Sequence, residues 1–339
     1  MTQPFPFKEL FLKETRKTPG MVNCHAHLDR AYTLTEDIWT QAEALMEEKW
    51  ILMRDIKKAH TPEKIEKRMT TAIEYFIEQG IVACRTHIDA DSIVGMLCVD
   101  TAAMVREKYK GKFHLQLVAH PLEGFLNADA TDWDKSKIEL FEKACAVCDV
   151  VGGLPSRDRK FKGERGDKKH AEILFSIAKN LGKDMDVHID QENNPLEKDT
   201  EWFVDMALEK GMQGRLTLVH AISVACQSEE DRKRIYKKML DCGVNITVCP
   251  RAAIGMKQHK DKMAPVHNSI GPVDELLAAG INVSIGTDNI SDIFIPNENG
   301  DLFDNVNLLA DGVRIYNIST LSKIATVNGY KTLKLNLQQ

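Results

Sequence analysis

An α/β fold, specifically a (β/α)8 TIM barrel, is what the sequence predicts, on three observations. Short apolar, strand-like runs alternate with amphipathic, charge-rich segments along most of the chain, the signature of repeated βα units. The strands and the helices each count to eight, and 339 residues is an ordinary length for a single closed barrel. Four of the strand ends also carry polar residues able to coordinate an ion or move protons, where barrel chemistry gathers. These are His25 with His27, His188, His220, and Asp288. A doubly wound open sheet would also alternate, but it usually brings a Gly-rich phosphate turn after its first strand, and this sequence has none.

In order, the expected strands are Met21–Cys24, Ile81–Arg85, Phe113–Ala119, Val150–Leu154, Asp184–Val187, Leu216–Val219, Val244–Cys249 and Ile281–Gly286. Each is a short apolar run of strand length. The intervening helical patterns are Thr61–Gln79, Ile93–Lys108, Ile138–Val147, Lys168–Leu181, Glu197–Lys210, Glu229–Leu240 and Val273–Ala279, with Leu321–Asn328 as the last. The connections Pro250–Pro272 and Asn289–Asp301 exceed ordinary βα loops and are candidate walls or lids. A further insertion, Tyr32–His60, holds the helix-like stretch Asp37–Lys58, whose Leu45, Trp50, Ile51 and Met53 can cover the barrel mouth or pair with another subunit. No repeat, low-complexity tract or linker divides the chain, so residues 1–339 are expected to form one domain.

With 43% hydrophobic residues the chain can bury a large core. Its formal charge of −5, with both signs mixed along the chain, offers no basic stripe for nucleic acid and no polybasic membrane anchor. A small-molecule partner fits better, and a homo-oligomer remains possible. The start lacks a basic leader before an apolar core and no later run reaches membrane-spanning length, so a cytoplasmic protein is expected. The eight cysteines are thinly spread and read as reduced thiols, and the Cys145/Cys148 pair lacks the second pair of a zinc site.

The chemistry centres on Val22-Asn23-Cys24-His25-Ala26-His27-Leu28-Asp29. Side chains two apart on a strand point to one side, so His25 and His27 can share an ion. Each candidate has an ordinary structural alternative: packing for the two histidines, a strand cap for His188, a helix cap for Asp288. Taken together, His25, His27, His188 and Asp288 supply the neutral imidazoles and carboxylate of a hydrolytic site for one divalent transition metal ion, zinc or iron.

This order, H-x-H after the first strand, His after the fifth and sixth and Asp after the eighth, resembles the amidohydrolase superfamily, in its cytosine-deaminase-like branch. Cys84-Arg85-Thr86-His87-Ile88-Asp89, Val118-Ala119-His120-Pro121-Leu122-Glu123-Gly124, Val150-Val151-Gly152-Gly153-Leu154-Pro155 and Asp186-Val187-His188 carry the likeness further. It spans roughly residues 18–335. The resemblance implies that His25, His27, His188 and Asp288 are the metal ligands. It also implies that Asp288 takes the proton of the attacking water and that His220 orients or stabilises the reacting oxygen. No lysine ends the fourth strand, where dinuclear members carry a carbamylated bridge, so the resemblance implies one ion.

Three departures stand out. The branch usually reads His-Cys-Asp-Glu after the fifth strand, its glutamate passing protons to the substrate ring, whereas this chain reads His188-Ile189-Asp190-Gln191. The usual aspartate pair after the eighth strand is here Asp288-Asn289, and the loop after the fourth is the basic Ser156-Arg157-Asp158-Arg159-Lys160. With about twenty residues before the first strand and about a dozen after the last helix, the barrel is expected without the small accessory β-sandwich that the resemblance would otherwise imply. Gln191, Ser156, Arg157 and Asn289 are therefore the expected substrate contacts, with Arg157 and Arg159 either a fork for an anionic group or paired with Asp158 and Glu164. Arg251 carries the same two alternatives. His87 and His120 are second-tier candidates, and His170, His259 and His267 are expected at the surface.

The expected function is hydrolysis of a C–N bond, by deamination or ring-amide opening, in a small and heterocyclic substrate. Alternatives are a non-catalytic metal-binding barrel, motivated by the missing glutamate, and phosphoester or lactone hydrolysis, motivated by the basic loop. Glu192, one residue past Gln191, is the rival candidate for the missing acid.

Overall fold

The computed structural model describes residues 5–163, 165–256 and 270–337. Its eight strands are β1 (Met21–Ala26), β2 (Ile81–Asp89), β3 (His114–His120), β4 (Val150–Gly153), β5 (Asp184–Ile189), β6 (Leu216–His220), β7 (Asn245–Val248) and β8 (Asn282–Ile285). They lie in one sheet in sequential order, and each neighbouring pair is parallel. Ala26 bridges to Asp288 and the Asp288 N–H donates to the His25 carbonyl at 2.9 Å, which brings the last strand round to the first. Gly286 permits that approach, since a Cβ there would lie 2.7 Å from His25. The expected (β/α)8 barrel is the observed fold.

Helices alternate with the strands: α1 (Phe7–Thr15), α2 (Met46–Lys58), α3 (Pro62–Glu78), α4 (Leu97–Tyr109), α5 (Lys135–Val147), α6 (Gly166–Leu181), α7 (Asp199–Glu209), α8 (Glu229–Cys242), α9 (Pro250–Gly255), α10 (Val273–Ala278), α11 (Leu302–Val313), α12 (Ile318–Ala325) and α13 (Val327–Leu333). Their ends follow local chemistry. α3 starts at Pro62 behind Thr61, whose side chain accepts from the Lys64 N–H, and α6 and α8 stop at the left-handed Gly182 and Gly243. None of the described helices is long and apolar enough to cross a membrane.

Several boundaries differ from the sequence reading, for identifiable reasons. β2 runs on to Asp89 instead of stopping at Arg85, because β3 offers it paired backbone as far as His120. His87 and His120 therefore lie on the sheet itself. The stretch Asp37–Lys58 is two elements, a 3₁₀ turn over Glu36–Glu43 and α2, separated where Ala44 and Leu45 are extended. The expected last helix is likewise two, α12 and α13, broken at Thr326. α11 is not among the expected elements; it starts at Asp301, which caps the Phe303 N–H, and buries Leu302, Val306, Leu309 and Ala310.

The main core fills the space between strands and helices. A separate apolar cluster lies over the C-terminal end of the barrel, where Trp50 and Met53 of α2 meet Leu122, Leu154, Val219, Cys249, Phe294 and Ile295. The insertion after β1 is thus a roof over the strand ends.

Candidate metal centre and active site

β1 sets both of its histidines facing the barrel interior, where His25 and His27 are 0% and 1% exposed, with His188 from β5 and Asp288 after β8 at 5% each. One donor atom from each of these four lies within 4.8 Å of the others. His27 Nε2 stands 3.3 Å from His188 Nε2 and 3.3 Å from Asp288 Oδ1, and His25 Nε2 stands 3.6 Å from the same oxygen. The sequence-derived ligand set therefore converges on one point.

The donor chemistry fits a divalent ion. Both ring nitrogens of His25 are buried without a hydrogen-bond partner, an arrangement costing about 1–3 kcal/mol per group unless something else satisfies it. Burial pushes the His27 and His188 imidazoles well below the ordinary value, so both are neutral and have a lone pair to give. Burial alone would raise Asp288, but the surrounding His25, His27 and His220 outweigh it and hold the carboxyl well below the usual range. His188 is oriented from behind by Nδ1 against the Gly153 carbonyl at 3.3 Å, the support that metal-binding imidazoles usually have.

His220 ends β6 with Nε2 3.5 Å from Asp288 Oδ2, and burial lowers its pKa to about 4. Both residues have left-handed backbones, φ +78° for His220 and +65° for Asp288. For side chains with a Cβ this costs on the order of 1–3 kcal/mol each, and such strain gathers at functional sites. The turn after each strand is what directs the side chain back across the mouth.

His87 and His120 join this group. The His120 ring lies 5.2 Å from His27 and 4.9 Å from His188 between centroids and lines the chamber over the metal centre. His87 sits deeper and is committed to Asp186, 3.0 Å away, which in turn accepts from Arg85 at 2.7 Å. Cys249 also approaches Asp288 and His220, but burial raises its thiol well above the ordinary value, which keeps it protonated.

Two cavities meet above the centre. An inner chamber of about 40 Å³ is lined by His27, His188, His220, Asp288, Gln191 and Asn289 beneath Met46 and Trp50. An outer vestibule of about 550 Å³ is lined by Ser156, Arg157, Arg159, Glu192 and Glu197, among others. Of the expected substrate contacts, Gln191 and Asn289 reach the chamber, whereas Ser156 and Arg157 stand in the vestibule. The two arginines are already engaged. Arg157 Nε donates to the Leu122 carbonyl at 3.0 Å, its NH2 lies 3.4 Å from Glu123, and its guanidinium sits over the Trp50 ring at 4.9 Å. Arg159 pairs with Glu197 and Asp199. Neither uses Asp158, and Glu164 lies outside the described residues.

Arg251 is tied down as well, 3.2 Å from Glu298. His170 corrects the expectation of a surface residue: it is fully buried, its Nδ1 2.6 Å from Asp158, and it accepts from the Leu154 N–H at 3.4 Å. The β4 loop needed an internal partner, and a histidine on α6 supplies it. His259 and His267 lie outside the described residues. Sequence reasoning missed Arg30, three residues beyond His27, whose NH1 donates to Asp89 at 2.8 Å while its guanidinium lies 5.1 Å from the Phe294 ring; an arginine directly after the His25-Ala26-His27-Leu28-Asp29 run was the available signal.

Comparison with known proteins agrees with this geometry. The chain is 36% identical over 272 residues to an uncharacterised protein of Haemophilus influenzae, covering 80% of this chain and 95% of that one. It is 26% identical over 302 residues to N-isopropylammelide isopropyl amidohydrolase of Pseudomonas sp. strain ADP, covering 87% and 68%. Among solved structures it matches 5-methylcytosine deaminase from Klebsiella pneumoniae with a TM-score of 0.83 at 24% identity, over 94% of this chain and 75% of that one. The model of the Amidohydrolase family matches residues 16–337, and the chain belongs to that family, in keeping with its cytosine-deaminase-like branch.

Proposed function

We propose that this protein is a mononuclear metal-dependent hydrolase that cleaves a C–N bond of a small, carbonyl-bearing nitrogen heterocycle. Removal of an exocyclic amino or alkylamino group and opening of a ring amide are both within its means. The observation that carries this reading is the composition of the chamber. Three imidazoles and Asp288 face one point, and Asp288 is the one carboxylate among the described residues lining the space above it.

His25, His27, His188 and Asp288 would hold one divalent ion, zinc or iron. When bound, such an ion supplies Lewis acidity that makes water a nucleophile near neutral pH. The remaining work falls to side chains. Asp288, ionised at neutral pH, receives the proton of the attacking water and passes it to the departing nitrogen. His220, neutral and beside Asp288, stabilises charge that develops on the reacting oxygen. Gln191 has no acidic proton, so it donates a hydrogen bond to a carbonyl or accepts one from a ring N–H. That suits a ring already polarised by its own carbonyl groups and disfavours one whose ring nitrogen must be protonated.

The names of the relatives support this choice, since N-isopropylammelide and 5-methylcytosine are both nitrogen heterocycles. The phosphoester alternative loses its motive, because Arg157 and Arg159 already have partners. Eight unpaired, buried thiols suit the reducing cytoplasm. The test is release of ammonia or alkylamine, and of new carboxylate, from a panel of aminopyrimidines, amino-oxo-triazines and cyclic amides. No turnover of any member by metal-loaded protein would overturn the reading.

A further inference from the structure

Five residues line both cavities: Met46, Trp50, His188, Gln191 and Met256. His188 belongs to the candidate metal centre and Gln191 to the β5 loop, so the rest of the wall between the two spaces is Met46, Trp50 and Met256. Trp50 is the largest of these and is 8% exposed. The chamber it closes, about 40 Å³, holds about one water, whereas a ring the size of benzene occupies a cavity of about 150 Å³. A heterocycle therefore needs more room beside Asp288 than the chamber offers with Trp50 in place.

The roof is held at several points. At the C-terminal end of α2, the fully buried Lys57 faces Asp89 at 3.5 Å and Glu123 at 3.8 Å and is bonded to Asp91. Arg54 adds a contact to Glu123 at 3.2 Å. Toward the N-terminus Lys49 Nζ donates to the Phe294 carbonyl at 3.1 Å, and Ala42 and Met46 pack against the apolar cluster over the strand ends. Trp50 lies between these two sets of contacts, its ring against the Arg157 guanidinium.

We propose that Trp50 is a specificity-determining residue, the partition that sets how large a ring the metal chamber accepts and that sends any ring substituent past Gln191 into the vestibule. The proposal rests on the hydrolase reading for its choice of substrates, but the partition itself is tested without turnover. In cobalt-loaded protein, visible absorption reports binding of azide, which is small, and of imidazole, which is a ring. Trp50→Ala should tighten imidazole by about tenfold relative to azide, the scale on which pockets discriminate by a few carbon atoms. With amino-oxo-triazines as substrates, the same variant should shift kcat/KM toward N-alkylated members over the unsubstituted one by a similar factor.

An imidazole-to-azide ratio unchanged in folded, cobalt-loaded Trp50→Ala overturns the partition. If that variant does not fold, Met46→Ala, one helical turn before Trp50 and lining the same two spaces, is held to the same criterion. Wild-type protein inert toward every substrate would remove the hydrolase reading, and the cobalt measurement would still decide the role of Trp50.

Discussion

Lys57 should be worth several times its neighbour Lys58, although both are lysines paired with aspartates on one helix. Burial pushes the Lys57 ammonium down, but Asp89, Asp91 and Glu123 outweigh it and hold its pKa above the ordinary value, so it is charged in the folded protein. A raised folded pKa contributes stability that is fully present below the unfolded value near 10.4 and is lost as pH rises through the folded one. The effect therefore holds across pH 6–9. Lys57→Met keeps the stem and deletes the charge, leaving Asp91 without its cation. Arg30 still serves Asp89 at 2.8 Å, and Arg54 and Arg157 still serve Glu123 at 3.2 and 3.4 Å. Breaking a buried pair costs about 3–5 kcal/mol, and these remaining partners place the loss near the low end, about 3 kcal/mol. At about 1.4 °C per kcal/mol in a chain of this size, the melting temperature should fall by about 4 °C. Lys58→Met removes a pair whose side chains are 67% and 73% exposed, and the loss of such a solvated pair should leave stability nearly unchanged. Calorimetry of both variants decides the matter, and equal shifts would refute the assignment of α2's anchor to Lys57.

Further outcomes follow from the site. Asp288→Asn should fold, bind less metal and lose turnover by at least about 10²-fold, because an amide neither offsets the ion's charge nor accepts the proton; a wild-type rate would contradict the mechanism. Cytosine should be a poor substrate, and Gln191→Glu should raise its deamination by about 10²-fold, while Glu192→Gln leaves the preferred substrate's rate unchanged. Efficient cytosine turnover that vanishes in Glu192→Gln would instead make Glu192 the acid. Burial holds His87 and His220 at about 4 in the folded chain, against about 6.5 when unfolded. The unfolded chain then binds more protons as pH falls, so metal-free protein should lose on the order of 1 kcal/mol per histidine between pH 7.5 and 5.5. Urea unfolding at the two pH values measures this, and an unchanged midpoint would contradict it.

The barrel was legible in the sequence because eight apolar runs alternate with eight helical patterns, and the clustering of the candidate ligands because residue types and strand ends coincide at His25, His27, His188 and Asp288. What escaped depends on long-range packing. Nothing local to His170 announces that Asp158 and the Leu154 N–H require it, and nothing in the basic run after β4 shows that Glu123, Glu197 and Asp199 come from elsewhere to occupy its arginines. Strand ends slipped for the same reason: β2 continues to Asp89 because β3 pairs with it that far. The left-handed turns at His220 and Asp288 were likewise invisible, since neither residue type demands positive φ. Trp50 was visible as an apolar residue over the mouth, but its place between two cavities is a property of the assembled roof.

The central claim, one ion held by His25, His27, His188 and Asp288, is tested most directly by the metal content of purified protein and of its His25→Ala and His188→Ala variants. Elemental analysis should find close to one equivalent of transition metal in the wild type and a small fraction of that in either variant, each of which lacks one of four ligands. Full metal retention by both folded variants would contradict the account.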